Sequence, residues 1–130
     1  MLELTMATVS AADSGATAGM QMAEAPSAPG AQLCVGRDRA ACRLVTPDDW
    51  LFVSRTHLDF RCGQDGMWTV TWLRGSLPEP SSEVRVVAGG TEQAVPYGGA
   101  WAIPVGGSGE VVIHDLSAPR SVNVGFYHEV

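Results

Sequence analysis

Two short apolar runs each end in a small residue followed by arginine: Leu33-Cys34-Val35-Gly36-Arg37 and Phe52-Val53-Ser54-Arg55-Thr56-His57. Delivered from neighbouring loops, these residues offer two guanidinium forks and two hydroxyls, a donor set suited to gripping a phosphate. Ser54 and His57 also invite a nucleophile-and-base reading. Their i, i+3 spacing on a loop entering a strand gives no acyl-transfer geometry, and no nucleophile elbow surrounds the serine. The plainer reading of Arg37 and Arg55 is surface pairing with Asp38, Asp48 or Asp49. His57, His114 and His128, taken with Cys34, Cys42 and Cys62, match no common zinc spacing. Asp48-Asp49 before Trp50 reads as turn residues.

Two loops can share a ligand only if a framework brings them to one end, and the chain reads as a series of short strands. Leu2–Val9 alternates, with Leu2, Leu4 and Met6 on one face and Glu3 and Thr5 on the other, the period-two signature of a half-buried strand. Ser10–Gly19 is loop by composition, Met20–Glu24 a short strand and Pro26–Gly30 a break. Gly15, Gly19 and Pro26 weigh against a helix over Ala11–Ala25. Gln32–Val35 leads into Gly36-Arg37, and Cys42–Val45 offers a strand before the Thr46-Pro47-Asp48-Asp49 turn. His57–Arg61 and Met67–Leu73 form a hairpin across Asp65-Gly66, with Trp68, Val70 and Trp72 on one face. Glu83–Val87, Gln93–Val95, the alternating Trp101–Val105, Glu110–His114 and Val122–Phe126 follow, divided by turns. Ten or eleven short strands at close spacing predict an all-β sandwich or barrel.

Composition narrows the reading. At 130 residues, 45% hydrophobic and 17% charged, the chain is expected to form one domain over 1–130 with its own core, residues 10–31 being partly loop and flexible. A net charge of −6 argues against sequence-independent nucleic-acid binding. All eight basic residues are Arg, a bias mainly credited to a GC-rich, bacterial genome; any anion site must therefore be built from Arg. No apolar run is long enough to span a bilayer and no signal peptide opens the chain, so a cytoplasmic protein without a membrane partner is expected. Three cysteines without a CxxC pair predict free thiols rather than a disulfide or a zinc site.

Gly36-Arg37, Val53-Ser54-Arg55-Thr56-His57, Asp65-Gly66-Met67-Trp68 and Gly109-Glu110-Val111 stand in an order and at distances similar to those of the forkhead-associated (FHA) domain. The resemblance runs from Leu2 to Tyr127. It implies an all-β, FHA-like sandwich of two antiparallel sheets that reads phosphothreonine peptides, with no cofactor, no metal and no catalysis. In the family the Arg of Gly-Arg and the Ser of the Ser-x-x-His run hold the phosphate, helped by the residue after that Ser. Those positions are Arg37, Ser54 and Arg55. The family's His braces the loops, a role that falls to His57, and Gly36 lets the backbone turn close to the site.

One family feature is missing. After the Trp strand the family carries an Asn that bonds the peptide backbone. Here that stretch, Trp72–Glu79, holds Gly75-Ser76 and no Asn, and the chain's sole Asn is Asn123. Trp72 stands about where the family has an Asp. Arg74 and Ser76 are the candidates to touch the flanking peptide instead. Losing two neutral hydrogen bonds at about 1 kcal/mol each weakens binding roughly ten- to thirtyfold. Arg-to-phosphate bonds at about 1.5–3 kcal/mol each would still capture the phosphate.

The implied partner is a protein phosphorylated by a Ser/Thr kinase, or the kinase itself. Loops Ser10–Gly30 and Arg74–Glu83 are expected to set the approach of the flanking peptide. Two rivals stand beside this reading: a degenerate FHA scaffold that assembles proteins without phosphate, favoured by the missing Asn, and a small β-sandwich enzyme, for which no acid–base or nucleophile constellation is present. Trp68 and Trp101 are expected in the core, Trp50 and Trp72 in a partly exposed patch. Self-binding of a phosphorylated Thr5, Thr8 or Thr17 is disfavoured, because Leu2–Val9 reads as a core strand. The oligomeric state is left open.

Overall fold

The computed structural model describes residues 1–10 and 16–129, with side chains from Met20 onward in the second strand. Eleven strands form in chain order: β1 Leu2–Ser10, β2 Ala16–Ala25, β3 Gln32–Gly36, β4 Leu44–Val45, β5 Leu58–Cys62, β6 Trp68–Trp72, β7 Ser82–Ala88, β8 Thr91–Val95, β9 Ala100–Ile103, β10 Ser108–Asp115 and β11 Arg120–His128. They make a six-stranded sheet ordered β2-β1-β11-β10-β7-β8 and a five-stranded sheet ordered β4-β3-β5-β6-β9. The pairing of β3 with β4 is parallel. The long ladders, β1 with β11 and β10 with β11, are antiparallel. The fold is an all-β sandwich.

Alternation decides what lies between the sheets. Leu2, Leu4 and Met6 of β1, Val122, Val124 and Phe126 of β11, and Val111 and Ile113 of β10 supply one inner face; Leu33, Val35, Leu58, Phe60, Trp68, Val70 and Ile103 supply the other. Trp68 is fully buried, and its indole N–H donates to Ser27 Oγ at 3.0 Å, which satisfies the polar end of a large apolar group. The two sheets are also laced along one seam. The Gln21 side chain donates Nε2–H to Val45 O at 2.6 Å and accepts Val45 N–H at 2.9 Å. One amide thus serves the edge strand β4 as a further strand would.

Several expectations change. β2 begins at Ala16, so half of the expected Ser10–Gly19 loop is strand; residues 11–15 lie outside the described residues. β10 begins at Ser108, two residues before the expected start at Glu110. Trp72 is 4% exposed: it closes the inward-facing Trp68-Val70-Trp72 stripe and is not part of a surface patch. Trp101 is only half-buried, packed against the core. Thr8 is buried, as a strand residue facing the core should be. Cys34 and Cys42 form a disulfide, Cα–Cα 4.5 Å, leaving Cys62 as the free, buried thiol. The odd count misled here, because a pair and a leftover satisfy it as well as three thiols do.

Candidate functional site

The chain reversals after β3, before β5, after β6, before β9 and after β10 gather at one end of the sandwich. At that end Leu58 pairs with Trp72, and Asp115 pairs with Ser82. The Gly36-Arg37 turn sits directly on the segment that precedes β5. Arg37 N–H donates to Ser54 O at 3.2 Å, Asp38 N–H to Arg55 O at 3.1 Å and His57 N–H to Val35 O at 2.8 Å. This contact needs Gly36: a Cβ there would overlap the carbonyl group of Arg55.

Arg37 is seated by backbone oxygens. Its Nε–H donates to Val53 O at 2.6 Å and Nη1–H to Asp48 O at 3.4 Å. Among the described residues, neither Arg37 nor Arg55 forms an ion pair; the arginines that do are Arg61, Arg85 and Arg120. Surface pairing with Asp38, Asp48 or Asp49 is therefore not what the structure displays. The Asp48 contact is through its main chain.

His57 is 3% exposed and sits at the centre of the loops. Its Nδ1 accepts the Ser54 N–H at 2.9 Å, which puts the ring proton on Nε2, 3.5 Å from Ser82 Oγ. The ring stacks on Trp72 with centroids 5.7 Å apart. Burial lowers the imidazole to a pKa of about 4, so it is neutral at physiological pH. Ser54 Oγ lies 3.2 Å from Nδ1 but donates to Thr56 O at 3.1 Å. With Nδ1 occupied by the backbone N–H and a hydroxyl behind Nε2, the imidazole holds the loop and is not set up to take the Ser54 proton.

These residues open onto a cavity of about 310 Å³ lined on one side by Arg37, Ser54, Arg55 and Thr56, and on the other by Arg74, Gly75, Ser76 and Tyr97. The structure thus brings Arg37, Ser54, Arg55, Arg74 and Ser76 to one place, with His57 beneath. Among the described residues no carboxylate lines the cavity, although the chain carries a net charge of −6. Three arginines around a cleft to which no described acid contributes make a focused positive field on an otherwise acidic protein. No described residue of the Ser10–Gly30 segment lines the cavity; the described segments that line it are the turn after β3, the segment preceding β5, the loop following β6 and the turn preceding β9. Asn123 lies elsewhere, on β11, bonded to Glu110 Oε1 at 2.9 Å. Among the described residues, no group of three or more His, Cys, Asp or Glu could hold a metal ion, and no helix is long and apolar enough to cross a membrane.

Sequence reasoning missed two supports. Tyr97 accepts the Gly75 N–H at 2.7 Å, donates to Leu77 O at 3.0 Å, and meets Trp72 edge-on at 5.1 Å. It fixes the loop after β6 from a strand connection over twenty residues away, and only its place between Pro96 and Gly98-Gly99 hinted at a shaped turn. Arg120 is the second. Its guanidinium lies over Trp50 at 5.1 Å and Phe52 at 5.3 Å while donating to Asp115 Oδ2 from Nε at 3.1 Å and Nη2 at 2.8 Å. This anchors the residues just before Ser54 onto the β10–β11 turn.

No protein-family model matches the sequence, and no curated protein matches it. Solved structures do match in shape. An engineered FHA with a Myc-pTBD peptide superposes at TM-score 0.59 and 14% identity, covering 96% of this chain and 91% of the other. The N-terminal FHA domain of S. cerevisiae Rad53p, in complex with a phosphothreonine peptide, superposes at TM-score 0.58 and 11% identity, covering 95% and 93%. At such identities the likeness establishes the fold: this chain is an FHA-like sandwich.

Proposed function

We propose that residues 1–130 act as one phosphothreonine-peptide-binding signalling or adaptor module, recognising a protein that a Ser/Thr kinase has phosphorylated. The observation that carries this reading is the meeting of Arg37, Arg55 and Arg74 with Ser54 on a cavity that no described carboxylate lines, whereas three of the arginines outside it stand in ion pairs. Arg37, oriented by Val53 O, and the Ser54 hydroxyl take the phosphate oxygens; Arg55 adds charge from the exposed rim. His57 and Gly36 keep the two loops in register, and Ser76 with Arg74 faces the flanking peptide. The chemistry is recognition only, and it calls for neither cofactor nor metal. Acting on kinase products points to the cytoplasm; the Cys34–Cys42 disulfide is the observation that points the other way, since structural disulfides are rare there.

The experiment is a library of phosphothreonine-centred peptides captured against unphosphorylated counterparts. Selective capture of the phosphorylated set supports the reading. The alternative, a degenerate FHA scaffold for phosphate-independent assembly, draws on the missing Asn in Trp72–Glu79; it predicts a partner captured equally before and after phosphatase treatment.

A further inference from the structure

The cavity holds one cation more than phosphate capture uses, and that cation has a shelf of its own. The Arg74 guanidinium carbon lies 4.7 Å from the centre of the Tyr97 ring. Its stem lies along Gly98, where a Cβ would stand 3.1–3.3 Å from Arg74 Cγ, Nε and Cδ. Gly98 also has φ +82°, in the left-handed region that favours glycine. The shelf itself is rigid, because the Tyr97 hydroxyl is bonded to Gly75 N and Leu77 O and the ring abuts Trp72. Arg74 is thus held over the Tyr97 ring by cation–π and packing contacts, and its guanidinium N–H groups can still serve an anion. Among the described residues it makes no ion pair. Its neighbour Gly75 borders the serine, since a Cβ there would sit 4.0 Å from Ser54 Cβ.

We propose that Arg74 is a specificity-determining residue that reads a second anionic side chain on the bound peptide, close in sequence to the phosphothreonine. The inference rests on the phosphopeptide reading above and deepens it. An aspartate, a glutamate or a second phosphorylated residue presents the same chemistry, an oxygen pair matched to the guanidinium fork. A peptide with one phosphate and neutral neighbours would satisfy Arg37, Ser54 and Arg55 but leave Arg74 unused. The preferred ligand is therefore an acidic or multiply phosphorylated segment.

The test is a set of phosphothreonine peptides on an alanine background, with a single Asp or a single phosphoserine moved through three positions on either side. Wild type is expected to bind at least one acidic register about two- to fivefold more tightly than the alanine background. That ratio should shrink at high salt, and a phosphoserine in the same register should match or exceed Asp. In Arg74→Gln the ratio is expected to fall to about one, whatever the absolute affinity, and Arg74→Lys should restore part of it. Even binding across all registers by wild type, or a preference that survives Arg74→Gln, overturns this inference while leaving the phosphate reading intact. A wild type that binds no phosphothreonine peptide overturns both.

Discussion

The backbone N–H of Ser54 donates to Nδ1 of His57 at 2.9 Å, and this bond fixes at once the imidazole tautomer and the loop that carries the hydroxyl. It also makes the fold sensitive to pH. Burial holds the folded imidazole at a pKa of about 4, against about 6.5 in the unfolded chain. Between those values the unfolded chain takes up a proton that the folded chain refuses. The stability is therefore fully present above pH 6.5 and falls as pH drops toward 4, by at most about 3 kcal/mol. Urea unfolding of wild type and His57→Gln across this window should show the slope reduced in the variant, which is also expected to be less stable at pH 7.

Gly36→Ala is expected to cost about 1–3 kcal/mol, the usual range for overpacking a tight contact, because the new methyl collides with the carbonyl of Arg55. The collision falls between the turn that carries Arg37 and the segment that carries Ser54. Thermal unfolding should thus report a loss together with weaker phosphopeptide binding. A fully stable Gly36→Ala would show that the two loops are not in the register described.

Arg120 joins two structures that are distant in sequence, the Asp115 carboxylate and the Trp50–Phe52 segment. Burial alone would raise the Asp115 carboxyl, but bonds from the Ser117 N–H, Arg120 and the Ser117 hydroxyl, with the charge of Arg120, bring it below its ordinary value. The stability it contributes is present above the ordinary carboxylate value and is lost as pH falls through the depressed one. Arg120→Leu leaves a carboxylate whose side chain is 1% exposed without its cation, a change expected to cost about 3–5 kcal/mol. Adding Asp115→Asn should recover part of that cost. Denaturant midpoints of the two single variants and the double variant measure the coupling.

The Cys34–Cys42 disulfide closes a short loop around Arg37, with a sequence separation of 8. Thiol titration of the denatured, unreduced protein is expected to count one reactive thiol, that of Cys62, and three after reduction. By the chain-entropy model, reduction should lower stability by about 2–3 kcal/mol. A count of three without reductant would contradict the pairing.

The parts of the fold written in the sequence are those governed by local rules. Leu2-Leu4-Met6 and Trp68-Val70-Trp72 declared their buried faces by alternation, and Asp65-Gly66 declared the hairpin. Gly36-Arg37 and Ser54 through His57 were legible as a candidate site because their chemistry is local to two loops. What stayed hidden depends on pairing at a distance. Nothing near Cys34 in sequence says that it meets Cys42, and nothing near Tyr97 says that it holds Gly75 and Leu77. Trp72, expected in a partly exposed patch, is buried with Trp68 and Val70 as the alternation of its strand requires. The start of β2 at Ala16 was missed because small residues carry little periodic signal; its backbone is set by pairing with β1.

The central claim is that Arg37 and Ser54 capture phosphate on threonine. Its most direct measurement is calorimetric titration of one library-selected peptide, in phosphorylated and unphosphorylated forms, into wild type and Arg37→Ala. The account predicts measurable binding of the phosphorylated form alone, reduced at least about tenfold in Arg37→Ala by the loss of one charge-assisted contact. Equal binding of both forms, or an Arg37→Ala variant that binds as wild type does, would contradict it.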